Sequence, residues 1–182
     1  MVAGVKRIGS KVTDMFVDWA KKDADAQAEA VKRLGLPDNN TAADRAKAMG
    51  FGDDVYHGTE ADFNKFKPHK NSWSQAFFNS KDPDVAEMFG DRIMPIKTRA
   101  NNIFDYENTK HVDSLIENNP KIEIGEANGK RFTKLGTGDW ASMESDSVQK
   151  GIKDLGFDGF NVKEHGAKNT GLFNNTDIRS KF

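Results

Sequence analysis

The chain has 182 residues, enough for one domain, or one domain carrying a small appendage, with a real core. Charged residues make up 30% and apolar residues 36%, an ordinary globular balance, and the formal charge of −1 gives no reason to expect a nucleic-acid or membrane partner. There is no cysteine, so disulfides and thiolate chemistry are excluded and either redox compartment suits the chain.

The opening Met1–Ser10 carries charges and no continuous apolar run, so it does not read as a signal peptide. No stretch approaches the ~20 apolar residues of a spanning helix. The expected location is cytoplasmic; a protein delivered by a secretion system or from a phage particle reads the same way. Between Lys6 and Leu34, Ile8, Val12, Met15, Phe16 and Trp19 recur at helical spacing, and alanines from Ala20 to Ala30 extend the helix by propensity. Gly35 and Pro37 stop it. Thr41 with Asp44 forms a short-armed capping box, opening a helix that Gly50 closes. Residues 1–50 are therefore expected to be a helical amino-terminal segment.

After Gly50 the pattern is mixed. Val55-Tyr56 reads as a strand entering His57-Gly58-Thr59, and Ala76-Phe77-Phe78 as a second strand. Asp82-Pro83 caps a helix with Val85, Ala86 and Phe89 on its inner side and Gly90 as its stop. Ile93–Ile96 is expected to be a strand, placed at a sheet edge by Pro95. His111–Glu117 is a short helix. Asn128-Gly129 signals a hairpin between Lys121–Ile124 and Arg131–Leu135. Asp139 and Ser145–Ser147 cap two further helices, the second carrying Val148, Ile152 and Leu155 before Gly156. Phe157–Val162 and Gly171–Phe173 are closing strands. Short strands punctuated by short helices, without a βαβ rhythm, give an α+β domain.

The four histidines, His57, His69, His111 and His165, lack the close spacing of a zinc site, so no metal is expected. Gly136-Thr137-Gly138-Asp139 is neither a phosphate-binding loop nor a Rossmann fingerprint, and no Gly-x-Ser-x-Gly elbow is present. His57-Gly58-Thr59 is the remaining candidate. It places an imidazole at a strand end beside a glycine whose backbone a ligand can approach closely.

Tyr56-His57-Gly58-Thr59, then Phe63 and Phe66, then Ala76-Phe77-Phe78-Asn79-Ser80, then Ala86 and Phe89, resembles the first half of ADP-ribosyltransferase domains of the histidine–tyrosine–glutamate group, which includes poly(ADP-ribose) polymerases and diphtheria toxin. The stretch 36–47, the closing Gly156-Phe157-Asp158-Gly159-Phe160 and Ile178-Arg179-Ser180 are similar to phage polyvalent-protein versions of that domain. The resemblance runs over 36–182 and makes residues 51–182 the catalytic domain.

The resemblance implies a split, strongly bent, mostly antiparallel sheet holding NAD+ as co-substrate, without a metal. His57 would bond the adenosine-side ribose, and Gly58 would offer backbone N–H and C=O to the nicotinamide carboxamide, which needs one donor and one acceptor. Thr59 would assist at a ribose, Phe78 would line the pocket with one edge, and Ser80 would be a polar contact. Phe89 stands where the family has a stacking tyrosine, keeping the ring face and losing the hydroxyl. The family glutamate falls on Asn169, which can hold a hydroxyl but supplies no charge. Glu164, five residues earlier and brought near by a turn through His165-Gly166, is the expected catalytic carboxylate, with Asn169 assisting. Such a group stabilises the oxocarbenium-like transition state of glycosidic cleavage. Glu144 and Asp158 are lesser acidic candidates, Asp158 reading as a turn former. Trp73 and Trp140 are large enough to lid a pocket. Arg99 and Arg131 suit either a pyrophosphate or surface salt bridges.

The implied reaction is transfer of ADP-ribose from NAD+ to a macromolecular acceptor, protein favoured over nucleic acid, in a toxin- or effector-like role. Two alternatives stay open: an NAD+ glycohydrolase, and a catalytically silent NAD+-binding or structural phage protein.

Overall fold

The computed structural model describes residues 21–52, 54–61, 66, 76–119, 122, 125–127, 130–132 and 134–180. The chain divides after Phe51 into two compact units. In the first, helix α1 covers 21–34 and ends at Gly35, whose φ of +65° lets its N–H return to the Val31 carbonyl at 3.2 Å. Helix α2, Ala42–Ala48, opens on the expected capping box: the Thr41 hydroxyl accepts from the Asp44 N–H, and Asp44 accepts from the Thr41 N–H. The loop between the helices is held by buried Asn40, whose Nδ2 donates to the Pro37 and Gln27 carbonyls. Arg45, also buried, donates to Asn40 Oδ1 at 2.9 Å and to Asp23 at 2.5 Å. The helical turns expected over 6–20 lie outside the described residues.

The second unit alternates short strands and short helices. In order these are β1 (Asp54–Thr59), β2 (Phe77–Asn79), α3 (Pro83–Glu87), β3 (Arg92–Thr98), β4 (Ile103–Phe104), α4 (Thr109–Asn118), β5 (Gly125–Ala127), β6 (Lys130–Phe132), α5 (Trp140–Met143), α6 (Asp146–Asp154), β7 (Gly159–Glu164), β8 (Ala167–Leu172) and β9 (Ile178–Ser180). They build a sheet β1-β3-β9, a sheet β2-β8-β7-β4 and the pair β5-β6; every pairing is antiparallel except β4 with β7. The fold class is the expected α+β with mostly antiparallel sheets.

Side-chain alternation along the strands makes two cores. Phe160 and Val162 of β7 face one way, packing with Phe104, Tyr106 and the inner residues of α4 and α6. Phe77, Leu172, Val55 and Ile96 form the other core. The α6 stripe is the expected one, Val148 and Ile152 buried and Gly156 closing it at φ +82°.

Two expectations are corrected. Strand β3 is the centre of its sheet, not an edge. Pro95 is tolerated there because it stands opposite Tyr56, whose N–H and C=O both bond Ser80, so the position facing it needs no donor. Phe89 is not inside: α3 ends at Glu87, so Phe89 falls off the buried stripe of Val85 and Ala86 and is 41% exposed. The hairpin β5-β6 pairs Ala127 with Lys130, while Asn128-Gly129 itself lies outside the described residues. Strands β4 and β9 were not anticipated.

The β7-β8 hairpin closes in two residues, His165 at φ +49° and Gly166 at φ +80°, the positive-φ pair of a type I′ turn. A Cβ on Gly166 meets nothing within 4 Å, so only backbone conformation opposes a side chain there. Gly166→Ala is expected to cost about 1–2 kcal/mol, the left-handed penalty. An unchanged urea midpoint for this variant would show that the turn is not held as described.

Candidate functional site

Among the described residues one backbone rung joins the two main sheets. Tyr56 N–H donates to the Ser80 carbonyl at 2.8 Å, and Ser80 N–H donates back at 2.9 Å. Two residues further along β1, Gly58 has the same backbone orientation as Tyr56, away from β3 and towards β2. Among the described residues no backbone pairs with it on that side. Gly58 therefore offers an N–H and a C=O, in fixed register, where the sheets part. Glycine is required by close approach: a Cβ there would lie 1.7 Å from the Ala86 carbonyl oxygen of α3.

His57 holds the other lip of the split. Its Nδ1 lies 2.8 Å from the Phe78 carbonyl oxygen, and its ring is tilted over Phe77 at 4.1 Å between centroids. A carbonyl only accepts, so Nδ1 carries the proton and donates. Phe78 contributes this carbonyl, while its ring packs edge-on to Phe160 in the first core. Thr59 is buried, its hydroxyl accepting from the Ala61 N–H. Ser80 is buried, its hydroxyl accepting from the Asp82 N–H.

From Gly58 the same side of the structure leads to the acidic residues. Phe89 Cβ lies 3.4 Å from the position of a Gly58 Cβ, and the Phe89 ring meets the His165 ring edge-on at 5.6 Å. His165 is the turn residue next to Glu164. The expected hairpin does bring Glu164 and Asn169 together: Asn169 Nδ2 donates to Glu164 Oε2 at 3.0 Å. Asn169 is only 2% exposed, and its Oδ1 has no hydrogen-bond partner. A buried acceptor left open costs about 1–3 kcal/mol, so it suits a site completed by a ligand donor.

Glu144 enters from a third element. Gly138 and Asp139 run alongside β7, with Lys163 N–H donating to the Gly138 carbonyl at 2.8 Å. Asp139 caps α5, and hydrogen bonds from Ser142 hold its carboxyl below the usual range. One turn later comes Glu144, its backbone carbonyl accepting from buried Gln149 at 2.9 Å. Burial, and then the neighbouring Glu164 carboxylate, push Glu144 up from 4.5 to about 7. Nothing in the residue pattern signals that desolvation; only the packing of α5 on β7 creates it.

The remaining candidates lie elsewhere or have other duties. Asp158 Oδ2 accepts from the Asn101 and Asn102 N–H groups, as a turn former does. Arg99 is engaged with Asp177 at 3.2 Å. His111 accepts from the Asp105 N–H. Trp140 is 54% exposed at the start of α5. Trp73 and His69 lie outside the described residues, as does the Arg131 side chain. Among the described residues no group of three or more His, Asp or Glu gathers to hold a metal ion, and no helix is long and apolar enough to cross a membrane.

A carboxyl raised by folding favours its protonated form in the folded state. Its stabilising contribution is full below about 4.5 and is lost as pH rises through about 7. Glu144→Gln should therefore flatten the fall in melting temperature across that interval. Parallel melting curves for the two proteins would rule out a desolvated Glu144.

Residues 48–181 match the model of a family described as ADP-ribosyltransferase in polyvalent proteins. No protein with a curated description matches the sequence. A crystal structure of an anti-CRISPR protein aligns over 69% of this chain and 93% of its own, at 7% identity and a TM-score of 0.43, too low to support any argument.

Proposed function

Because the chain belongs to the ADP-ribosyltransferase family of polyvalent proteins, we propose that it takes NAD+ as donor and transfers ADP-ribose to a macromolecular acceptor, releasing nicotinamide. The observation that carries this reading is the open backbone of Gly58 at the sheet split, with Phe89 beside it and Glu164 beyond.

In this reading each residue has one task. Gly58 N–H and C=O bind the carboxamide, a donor and an acceptor meeting an acceptor and a donor. Phe89, exposed past the end of α3, stacks on the nicotinamide ring. His57, held by the Phe78 carbonyl, faces the adenosine-side ribose. Thr59 and Ser80 serve as polar contacts along the split. Asn169 Oδ1 accepts from a ribose hydroxyl, which would satisfy its open lone pairs. Glu164, positioned by Asn169 Nδ2, lies against the sugar and stabilises the positive charge that develops as the glycosidic bond breaks. NAD+ supplies the activated sugar, and no step requires a metal. The acceptor is proposed to be a protein, modified in a bacterial cytoplasm by an effector of phage or bacterial origin.

One observation favours a second reading, a catalytically silent NAD+-binding module: Glu164 is already engaged by Asn169, the residue on which the resemblance would put the family's glutamate. A third, NAD+ glycohydrolysis, differs only in having water as acceptor. Labelled NAD+ incubated with the protein and host lysate separates all three, by label retained on macromolecules, free ADP-ribose, or unchanged NAD+.

Glu164→Gln is expected to keep NAD+ affinity and lower nicotinamide release by roughly 100- to 1,000-fold, the cost of one preorganised charge-stabilising group. Wild-type turnover in this variant would remove Glu164 from the reaction.

A further inference from the structure

Phe89 and His165 meet ring to ring, although one follows α3 and the other turns the β7-β8 hairpin. We propose that His165 is a positioning residue for the donor: its imidazole sets the orientation of the Phe89 ring against which the nicotinamide lies. The proposal rests on the donor reading given above and adds to it the residue that fixes the stacking surface.

The backbone around Phe89 is fixed by its neighbours. The Phe89 N–H donates to the Ala86 carbonyl at 3.0 Å. At the next residue the chain presses on β1 so closely that a Cβ on Gly90 would lie 2.2 Å from the Thr59 carbonyl carbon. The Phe89 Cβ is thereby held 3.4 Å from where a Gly58 side chain would begin. Beyond Cβ the constraint is of another kind. Phe89 lies past the end of α3, belongs to neither core and is 41% exposed, so no packed interior selects its rotamer. Its ring meets the His165 imidazole instead, with 5.6 Å between centroids and an inclination of 68°, the edge-on arrangement that aromatic pairs favour.

The turn alone does not account for the imidazole. His165 occupies the first turn position at φ +49°, followed by Gly166. Asparagine is the residue that this position favours, and an Asn-Gly turn would close the hairpin at least as well. His165 is exposed and fills no core. What the imidazole adds is the contact with Phe89. Phe89 leans on β1 of one sheet, and His165 closes a hairpin of the other, next to Glu164 and its partner Asn169. The ring pair therefore ties the chain beside Gly58 to the hairpin that carries the carboxylate.

A stacking ring strengthens binding most when it is ordered before the ligand arrives, because side chains that must be immobilised on binding cost affinity. With His165 against it, Phe89 is ordered in advance. The part of the donor that gains is the nicotinamide; the ADP-ribose part does not reach Phe89 in this reading.

The test is calorimetry on the full chain with NAD+ and, separately, with ADP-ribose, using His165→Asn, Phe89→Ala and the double variant. His165→Asn keeps a favourable turn residue and removes only the ring. Its NAD+ affinity should fall roughly 2- to 10-fold, the contribution of one aromatic pair, while its ADP-ribose affinity stays at the wild-type value. In the Phe89→Ala background the same substitution should change nothing further, because a residue acting through Phe89 has no effect once that ring is gone. Wild-type NAD+ affinity in His165→Asn, an equal loss for NAD+ and ADP-ribose, or a further loss in the double variant would each overturn the role of His165 while leaving the donor reading intact. A wild-type chain that binds no NAD+ would overturn both.

Discussion

Two hydrogen bonds between Tyr56 and Ser80 hold the two main sheets together, and beyond them no further backbone pair joins the sheets among the described residues. The features of the site follow from that single rung. It sets the orientation of β1, which turns the Gly58 N–H and C=O into the gap; it spares β3 a hydrogen bond at Pro95; and it places the Phe78 carbonyl where the His57 imidazole reaches it. A continuous sheet would consume the same groups in ladder bonds. Splitting the sheet exposes a donor and an acceptor of fixed geometry without loop flexibility, and glycine is the residue that allows α3 to press against that edge.

At the acidic end of the site the β7-β8 hairpin brings a carboxylate and an amide together, Glu164 lying 3.0 Å from the Asn169 Nδ2. Asparagine between a carboxylate and an open position can donate to the one and accept at the other, which a glutamate there cannot do without repelling Glu164. Burial and a like-charged neighbour push the Glu144 carboxyl above the ordinary range.

Local rules made much of this legible in the sequence. The capping box at Thr41 and Asp44, the Asp82-Pro83 helix start, the α6 stripe and the His165-Gly166 turn are decided by residues within a few positions of one another. Long-range pairing was harder to read. Pro95 suggested an edge because only the Tyr56–Ser80 rung, across 24 positions, explains its place at the centre. Phe89 reads as internal by helical spacing, but it lies two residues beyond the end of α3 at Glu87. Glu144 carried little signal for the same reason: its desolvation comes from α5 lying on β7, and the intervening residues say nothing of that contact. Glu164 and Asn169 were found together because a short hairpin joins them.

The central claim concerns a backbone group, and backbone amides can be watched directly. Titrating 15N-labelled protein with NAD+ should move the Gly58 amide proton downfield as it gains a hydrogen bond, with the His165 and Asn169 amides shifting in parallel. Absence of NAD+ binding, or binding that leaves the Gly58 resonance where it was, would contradict the account.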